Sequence, residues 1–408
     1  MNKRRETLLV IIMGLMVAVG PFSIDMYLPA FQVIADEFHT TISKVALSMA
    51  SYFIGMAAGQ LLYGPLLDRF GRKPPLYAGL FIYLVATVAC ILSTSIEQMI
   101  AFRFIQAIGG CAASVAANAM VRDMFPVEDN AKIFSSFILV ISASPLVAPS
   151  LGGFVSVAWG WQSLFLILII ITLLILVLVF LFIPESKGPD PSFSLRPGDI
   201  LRSFAEVLRV PQFSTYALSG GIAFAGLFVF VSSSPFIYMT LYDFTEKEYG
   251  IMFAVLLAGL IGASQLNRLL LKKFSSETLV SWSITIQLVV AALLLLVTFL
   301  GMTGIFYIQT ALIFLFLATL GIVLPNSTAL ALAPFSSNAG TAASVLGTLQ
   351  FGFGALASFV VSFLTADSSL PIVLTMLICS SIALTSLLIG KPYVKVTHSS
   401  SATTSSLH

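Results

Sequence analysis

Long apolar runs constrain the fold of this chain more than any other feature of its sequence. The runs are about 20 residues long, which as an α-helix is enough to cross the hydrocarbon core of a bilayer. Only 9% of the residues are charged, whereas soluble domains carry about 25%. The sequence therefore predicts an all-α membrane protein with twelve transmembrane helices, at residues 8–30, 45–67, 74–95, 97–120, 132–155, 162–183, 213–240, 249–270, 278–300, 304–332, 339–365 and 370–390.

The distribution of basic residues predicts how these helices are oriented. Residues 3–5 are basic and precede the first run, which continues without a small-residue cleavage site and is therefore interpreted as a retained span. With the N-terminus inside, seventeen of the twenty Lys and Arg residues fall in inner segments, and the outer loops hold only Lys44 and Lys247. This bias predicts that both the N-terminus and the C-terminus are cytoplasmic.

The longest polar connection, from Pro184 to Gln212, separates six predicted spans from six. It predicts two six-helix bundles around a central cavity, as in secondary transporters built from parallel repeats. The expected units are an N-terminal bundle at 1–183, a cytoplasmic middle loop at 184–212, a C-terminal bundle at 213–390 and a disordered cytoplasmic tail at 391–408. Within the loop, residues 203–209 have the pattern of a short amphipathic helix on the inner surface.

Other functional classes find no support in the sequence. Cys90, Cys111 and Cys379 all lie inside apolar runs and are interpreted as small core residues. Two of the three histidines lie in the C-terminal tail, so no histidine-based metal site is expected. The chain also has no phosphate-binding Gly-x4-Gly-Lys-Ser/Thr sequence and no Gly-x-Ser-x-Gly elbow. We therefore expect no enzyme activity, no metal and no cofactor.

Asp25 is the only acidic residue inside an apolar run, and Arg103 is the only basic residue deep inside a span. At about 1.5 Å per residue, the two side chains reach similar depths in the outer half of the bilayer. Burial disfavours the charged form of a carboxyl group, whereas a nearby guanidinium favours it. We therefore expect the two residues to face a common cavity and Asp25 to carry a proton. The alternatives are a static tether between two helices, and a carboxyl group in the wet headgroup zone.

Several segments of the chain resemble a known family of membrane transporters. Residues 64–74 resemble the inner-loop signature of the major facilitator superfamily, between its second and third helices. Residues 103–109 resemble the fourth-helix arginine motif of its drug:proton antiporters. Residues 144–153 resemble their fifth-helix motif, with Ala148 in place of its first glycine. More narrowly, residues 23–30 and 226–238 are similar to the bicyclomycin/chloramphenicol-resistance (Bcr/CflA type) branch.

This resemblance implies a proton-coupled multidrug efflux transporter of the bacterial inner membrane. Such a protein exports amphipathic small molecules by alternating access, driven by the proton gradient, and the resemblance implies that Asp25 is its proton carrier. The expected partners are a drug-like small molecule, protons and the lipid bilayer, with no nucleic acid, and we expect a monomer. The alternative on the same fold is a proton-coupled importer of a small metabolite, and a channel is a third class.

The inner-loop segment is predicted to form a latch that closes the inner gate. Its expected members are Gly64, Asp68, Arg69, Gly71, Arg72 and Asp123. The two glycines permit close approach and a tight turn. Arg72 is expected to pair with Asp123, and Asp68 is expected at the positive N-terminal end of the eleventh helix, near residues 338–341. The alternative, a basic anchor on the inner surface, explains Arg69 but leaves Asp68 without a role.

The predicted fifth span contains two prolines and a glycine pair: Pro145, Pro149, Gly152 and Gly153. The prolines remove two helix hydrogen bonds, and the glycines let a neighbouring helix pack closely. The resemblance implies that this bent helix prevents proton leak, and ordinary packing is the alternative explanation of the glycines.

Substrate contacts are expected where aromatic or polar side chains fall inside spans. Phe224 and Phe228 lie one turn apart in the seventh span, and aromatic walls suit a flat amphipathic molecule. Asn326 and Gln350 are uncharged hydrogen-bonding groups inside spans, and interhelical bonds are their alternative role. The candidate substrate contacts are Asp25, Tyr27, Phe224, Phe228, Asn326 and Gln350.

Overall fold

The computed structural model describes residues 3–125, 127–191, 194–301, 305–335, 339–364 and 368–394, which fold almost entirely into helices. The N-terminal half contains α1 (Lys3–Asp25), α2 (Phe31–Glu37), α3 (Ile42–Phe70), α4 (Lys73–Ile91), α5 (Ile96–Met124), α6 (Val127–Trp159) and α7 (Gln162–Phe182). The middle loop contains α8 (Pro197–Leu208). The C-terminal half contains α9 (Pro211–Pro235), α10 (Glu246–Leu270), α11 (Ser276–Leu300), α12 (Ile305–Leu332), α13 (Ala339–Leu364) and α14 (Leu370–Gly390).

Each predicted span has a helix at its position. Eleven helices of the described chain are long and apolar enough to cross a membrane. The predicted fifth span is α6, which is 33 residues long, and its side chains are described at Ile133 and from Ser144 onward. Most predicted ends lie within about five residues of the observed ones, and the expected boundary at Asp367 lies outside the described residues.

The first span differs most from its prediction, which ended it at residue 30. α1 ends at Asp25, the chain turns, and a 3₁₀ turn at Leu28–Ala30 leads directly into α2. Pro29 lies in the first turn of this new helical segment, where its missing N–H is tolerated. The span therefore continues to Glu37, because Pro29 lies at the start of a new helical segment and does not end the span.

Polar capping residues begin several helices slightly earlier in the chain than hydropathy predicts. Thr41 caps the N-terminus of α3 with its hydroxyl, and Ser95 does the same for α5. Ser95 thereby separates the third and fourth spans at the predicted position. At the start of α10, Thr245 and Glu248 form a capping box. Each cap satisfies backbone N–H groups that would otherwise lack a partner.

The helices pack as two bundles, one from each half of the chain. α1 and α3–α7 pack against one another, and so do α9–α14. The bundles meet mainly where α3 packs on α13 and where α6 packs on α10. This confirms the predicted all-α fold with two six-helix bundles, whereas the exact residue limits of the four units stay a prediction.

The predicted loop helix is present as α8, which begins at Pro197 rather than at residue 203. Proline suits the first turn of a helix because its fixed φ is already helical. Val207 is buried, and α8 packs against α13 and α9, so this helix is attached to the C-terminal bundle. The predicted disordered tail falls mostly on residues 395–408, which lie outside the described residues.

Candidate functional site

Asp25 is the last residue of α1, directly before the turn that breaks the first span. It is only 5% exposed, and Ser144 of α6 donates a hydrogen bond from Oγ to Oδ2 at 3.0 Å. The 3₁₀ turn at Leu28–Ala30, just after Asp25, packs against α10. The carboxyl group therefore lies where α1, α6 and α10 meet, and its burial does not fit the alternative of a wet headgroup position.

Close backbone packing covers Asp25 from the outer side. A Cβ atom at Gly152 of α6 would overlap the carbonyl oxygen of Met26, the residue after Asp25. A Cβ atom at Gly153 would lie 2.5 Å from the carbonyl oxygen of Glu246, at the start of α10. The glycine pair thus lets α6 contact the first span and the C-terminal bundle at the same time.

The partner helix contributes a third glycine to this contact. A Cβ atom at Gly250 of α10 would lie 2.9 Å from the carbonyl oxygen of Pro149. Pro145 and Pro149 both lie inside α6, which remains one continuous helix. We call the contact of Pro149, Gly152 and Gly153 with Met26, Glu246 and Gly250 the outer seal.

Arg103 is fully buried in α5 and is surrounded by oxygen atoms and aromatic rings. Its Nη1 donates to Gln106 Oε1 at 2.6 Å, and its Nη2 donates to the Ser23 carbonyl oxygen at 2.9 Å. The guanidinium carbon lies 4.6 Å from the ring centre of Tyr27 and 4.2 Å from that of Tyr52. Carbonyl oxygens and aromatic faces both stabilise a cation.

Asp25 and Arg103, which are expected to face a common cavity, form no ion pair with each other in the described part of the chain. Arg103 binds the carbonyl of Ser23, whereas Ser144 binds the Asp25 carboxyl group. Helix rise gives the height of a residue in the membrane, but it does not give the side of the helix from which the residue projects. Arg103 therefore stabilises the turn that carries Asp25. Its contacts fit neither a cavity shared with the Asp25 carboxyl group nor a static Asp25–Arg103 pair.

Hydroxyl groups add to this support of the broken span. Ser23 Oγ and Tyr83 OH are 2.7 Å apart, and Tyr27 OH and Ser48 Oγ are 2.9 Å apart. Tyr27, which was expected to contact substrate, is buried and lies beneath Arg103. Its contacts belong to the turn next to Asp25.

The inner loop forms a compact ionic cluster. Arg72 Nε lies 2.7 Å from Asp123 Oδ2, as predicted, and Nη1 lies 2.8 Å from Asp68 Oδ1. Asp68 also lies 3.4 Å from Lys187 Nζ. Burial lowers the pKa of Arg72, but hydrogen bonds to the two carboxylates outweigh this effect and hold the pKa above its usual value. Asn338, at the helix end expected near Asp68, lies outside the described residues, so that contact stays a prediction.

The remaining inner-loop candidates shape the turn between α3 and α4. Gly71 has a φ of +86°, a conformation that favours glycine and makes the predicted tight turn. A Cβ atom at Gly64 would lie 3.0 Å from Ser344 Oγ, so α3 approaches α13 closely there. The carbonyl oxygen of Arg69 accepts a hydrogen bond from Asp190 N at 3.1 Å.

The first residues of the middle loop bind this ionic cluster, which the sequence did not predict. Glu185 accepts hydrogen bonds from the backbone N–H of Arg72 at 2.7 Å and of Lys73 at 3.1 Å. It thereby caps the N-terminus of α4, where a carboxylate is favourable. Ser186 Oγ donates to Asp123 Oδ2 at 3.0 Å. The sequence signal for this cap is the position of Glu185, an acidic residue just after the predicted end of the sixth span.

A cavity of about 340 Å³ lies among the inner ends of α3, α5, α12 and α13. Its wall includes the amides of Gln60, Asn118 and Gln350 and the rings of Phe204 and Phe351, and the ionic cluster lines it as well. Gln60 and Asn118 were not predicted, although each is a polar residue inside an apolar run. This cavity thus lies at the end of the bundles that carries the ionic cluster, whereas the outer seal lies toward the opposite end of α6.

The predicted substrate contacts divide between this cavity and the helix interfaces. Gln350 lines the cavity. Asn326 donates from Nδ2 to Asn267 Oδ1 at 2.7 Å, which links α12 to α10. The rings of Phe224 and Phe228 have centres 4.9 Å apart, and neither ring is part of the cavity wall. Asn326 therefore fits the alternative that was stated for it, an interhelical hydrogen bond.

The described residues hold no candidate metal centre. They contain no group of three or more His, Cys, Asp or Glu residues that could hold a metal ion. Cys90, Cys111 and Cys379 are buried and free. His39 has a positive φ of 50° and lies in the turn between α2 and α3.

Comparison with known proteins identifies the family. Residues 13–361 match the Major Facilitator Superfamily. A bicyclomycin resistance protein homolog of Haemophilus influenzae is 30% identical over 93% of this chain and 95% of its own length. Multidrug resistance protein D of Escherichia coli is 28% identical over 92% of this chain and 94% of its own. The crystal structure of a D-xylose-proton symporter, with a TM-score of 0.76, 16% identity and coverage of 97% and 98%, shows the same fold. The chain therefore belongs to the Major Facilitator Superfamily and, as its motifs predicted, to the bicyclomycin/chloramphenicol-resistance branch of the drug:proton antiporters.

Proposed function

We propose that this protein exports amphipathic small molecules across the bacterial inner membrane in exchange for protons. The observation that carries the proposal is the position of Asp25, a buried carboxyl group at the junction of α1, α6 and α10 and next to the outer seal. An ionisable group inside the membrane is costly and marks a functional site by default. Relatives named for bicyclomycin resistance and multidrug resistance support export over import.

The proposed substrate site is the inner cavity. Gln60, Asn118 and Gln350 offer hydrogen-bond donors and acceptors, while Phe204 and Phe351 offer aromatic surface. Pockets for small molecules combine such apolar walls with a few polar groups, and a volume of about 340 Å³ suits a small drug-like molecule. The substrate therefore enters from the cytoplasmic side in the arrangement described here.

Asp25 is the proposed proton carrier. A neutral carboxyl group is far less costly to bury than a carboxylate, so proton binding from outside favours closure of α6 and α10 over Asp25. Release of the proton then requires contact with water on the inner side. The smallest cycle exchanges one proton moving inward for one substrate molecule moving outward. One charge crossing about 100 mV supplies about 2.3 kcal/mol, enough for a gradient of about 40-fold.

The ionic cluster is the proposed latch of the inner gate. In the present arrangement Asp68 is paired with Arg72, just before α4, and with Lys187 of the middle loop. Gly64 already lies against Ser344 of α13, so closure of the inner side is expected to bring Asp68 toward the start of that helix. There the positive end of the helix dipole would stabilise its carboxylate.

The test uses energised inside-out vesicles with a pH-sensitive dye in the lumen. Exchange of substrate for protons predicts that the lumen becomes more alkaline when a candidate drug is added outside. A proton-coupled importer predicts the opposite sign, because substrate and protons would enter the lumen together. Absence of any pH response over a panel of amphipathic drugs would overturn the proposal. Vesicles without the protein are the control for passive drug effects.

We further propose that both termini face the cytoplasm, that the protein works as a monomer in the bilayer, and that it needs no cofactor beyond the proton gradient. The distribution of basic residues supports this orientation. A fluorescent reporter fused to either terminus tests it, since it would be accessible in inside-out vesicles and protected in right-side-out vesicles. The reverse pattern at either terminus would contradict the orientation.

A further inference from the structure

A group of phenylalanine rings lies between the two bundles, beyond the cavity. Phe53 of α3 and Phe228 of α9 have ring centres 4.3 Å apart at an interplanar angle of 61°. Phe228 also contacts Phe224 at 4.9 Å and Phe351 at 5.5 Å. We call these four residues the aromatic layer. It joins the N-terminal bundle to α9 and α13 through side chains alone.

Phe228 is held in place by α13. A Cβ atom at Gly354 would overlap the Phe228 ring, so this glycine provides the space that the ring occupies. Ser358 Oγ donates a hydrogen bond to the Phe228 carbonyl oxygen at 3.1 Å. Phe53 is fully buried and Phe228 is 5% exposed. The contact between the two bundles is therefore apolar and closed to water in this arrangement.

The aromatic layer lies between the cavity and the proton site. On α3, Phe53 is about 10 Å further outward than Gln60, which lines the cavity. On α9, Ser234 is about 9 Å further outward than Phe228. Ser234 Oγ and Tyr249 OH are 2.8 Å apart, and Tyr249 lies on α10, which packs against the 3₁₀ turn that follows Asp25. The cavity is thus on one side of the layer and Asp25 on the other.

We propose that Phe228, through its contact with Phe53, is the barrier that keeps Asp25 from exchanging protons with the inner cavity unless substrate moves. This inference rests on the proposed function, in which Asp25 carries the proton. Protons travel along water and hydrogen-bonding groups, and a dry contact of aromatic rings offers neither. Phe351 belongs to both the cavity wall and the aromatic layer, so a substrate in the cavity contacts the barrier directly.

The consequence is a defined defect when the barrier is removed. With Phe228→Ala, Asp25 would meet inner water in every conformation, and a proton loaded from outside would be released inside without substrate. The protein would then act as a proton leak. The barrier makes Phe228 a positioning residue for coupling, because it acts through the access of water to Asp25.

The test measures passive proton entry into proteoliposomes that contain a pH-sensitive dye, after the outside medium is acidified and with no substrate present. Phe228→Ala is expected to leak protons at least about tenfold faster than the wild-type protein. The matched control is Phe363→Ala on α13. Its ring forms a similar pair with Phe359, with ring centres 4.8 Å apart, but it is 65% exposed on the surface of the bundle. A Phe228→Ala leak no faster than that of Phe363→Ala overturns the proposal.

Two further variants keep the test decisive if Phe228→Ala does not fold. Gly354→Ala retains the ring but displaces it, and is expected to leak. Phe228→Leu retains apolar volume and is expected to leak less than Gly354→Ala. A wild-type leak rate in folded Gly354→Ala protein counts against the barrier.

The double variant Phe228→Ala, Asp25→Asn separates this inference from the proposed function. If its leak disappears, Asp25 conducts the protons and the aromatic layer blocks them, which supports both proposals. If its leak equals that of Phe228→Ala, the leaking protons bypass Asp25, which overturns the barrier between Asp25 and the cavity. If Phe228→Ala has no leak while Asp25→Asn abolishes proton-driven transport, the barrier fails and the proposed function stands.

Discussion

The two bundles share a fold but differ in the polar groups that they bury. The N-terminal bundle buries Asp25 and Arg103 within its helices. In the described part of the C-terminal bundle, the buried polar groups are neutral. Examples are Gln287, whose Nε2 donates to the Ala223 carbonyl oxygen at 3.3 Å, and the pair of Asn267 and Asn326.

The inner ends of the bundles show the same contrast at related positions. Asp68-Arg69 follows the second predicted span and Asn267-Arg268 lies in the last turn of the eighth, a weak internal repeat of the sequence. In the structure Asp68 belongs to an ionic cluster, whereas Asn267 forms an amide hydrogen bond. The difference suggests that the two bundles have different roles in transport. In the proposed cycle, the N-terminal bundle would change charge and the C-terminal bundle would provide a neutral surface against which it moves.

Asp25→Asn is expected to have the largest effect and to break this contrast. The amide keeps the size and hydrogen bonding of the side chain but cannot exchange a proton. Drug-driven alkalinisation of inside-out vesicles should fall at least about 100-fold, or about 2.7 kcal/mol. The matched change in the other bundle, Gln287→Leu, should leave it intact. Folded Asp25→Asn protein with full proton-driven transport would refute Asp25 as the carrier.

Gly152→Ala is expected to have the second largest effect, because its Cβ atom would overlap the Met26 backbone and prevent the outer seal from closing. Transport should fall about tenfold or more, with the folded state retained. Gly352 of α13 has nothing within 4 Å of its Cβ position, so Gly352→Ala is the control and should transport normally. Equal rates for the two variants would show that the seal tolerates a methyl group.

The next prediction compares how much the ionic cluster and the Asn267–Asn326 pair contribute to stability. The two variants are Arg72→Gln and Asn326→Ala. Arg72→Gln leaves the carboxylates of Asp68 and Asp123 without their shared cation and should cost about 2 kcal/mol, less than a fully buried pair. Asn326→Ala leaves one amide oxygen without its donor and should cost about 1 kcal/mol. Thermal unfolding in detergent measures both. High salt should reduce only the Arg72 effect, and equal salt dependence would contradict the ionic origin.

The smallest expected effect concerns alkaline pH. The pKa of Arg72 is raised in the folded protein. Its contribution to stability is therefore fully present below the unfolded-state pKa and is lost only as the pH rises through the higher folded-state value. The Tm difference between wild type and Arg72→Gln should stay constant from about pH 7 to about pH 10. A difference that shrinks in this window would show that the guanidinium is not the titrating group that matters.

The sequence predicted the spans well because length and hydropathy are local properties. It missed the extension of the first span to Glu37, since a proline was treated as an end. The burial of Asp25 was predictable from its place in an apolar run. Its partner Ser144 was not, because it lies on α6, far along the chain, and depends on how two helices are rotated. The same dependence on helix rotation explains why Arg103 has the same predicted depth in the membrane as Asp25 but does not contact it.

The attachment of the middle loop limits how far the bundles can separate on the inner side. The loop is fastened to the N-terminal bundle up to Asp190 and to the C-terminal bundle from α8 onward. The connection from Asp190 to Pro197 can extend to at most about 25 Å. As long as both attachments hold, this short connection limits how far the two bundles can separate at the end that carries the cavity, and under the proposed function it limits the size of the molecule that can enter.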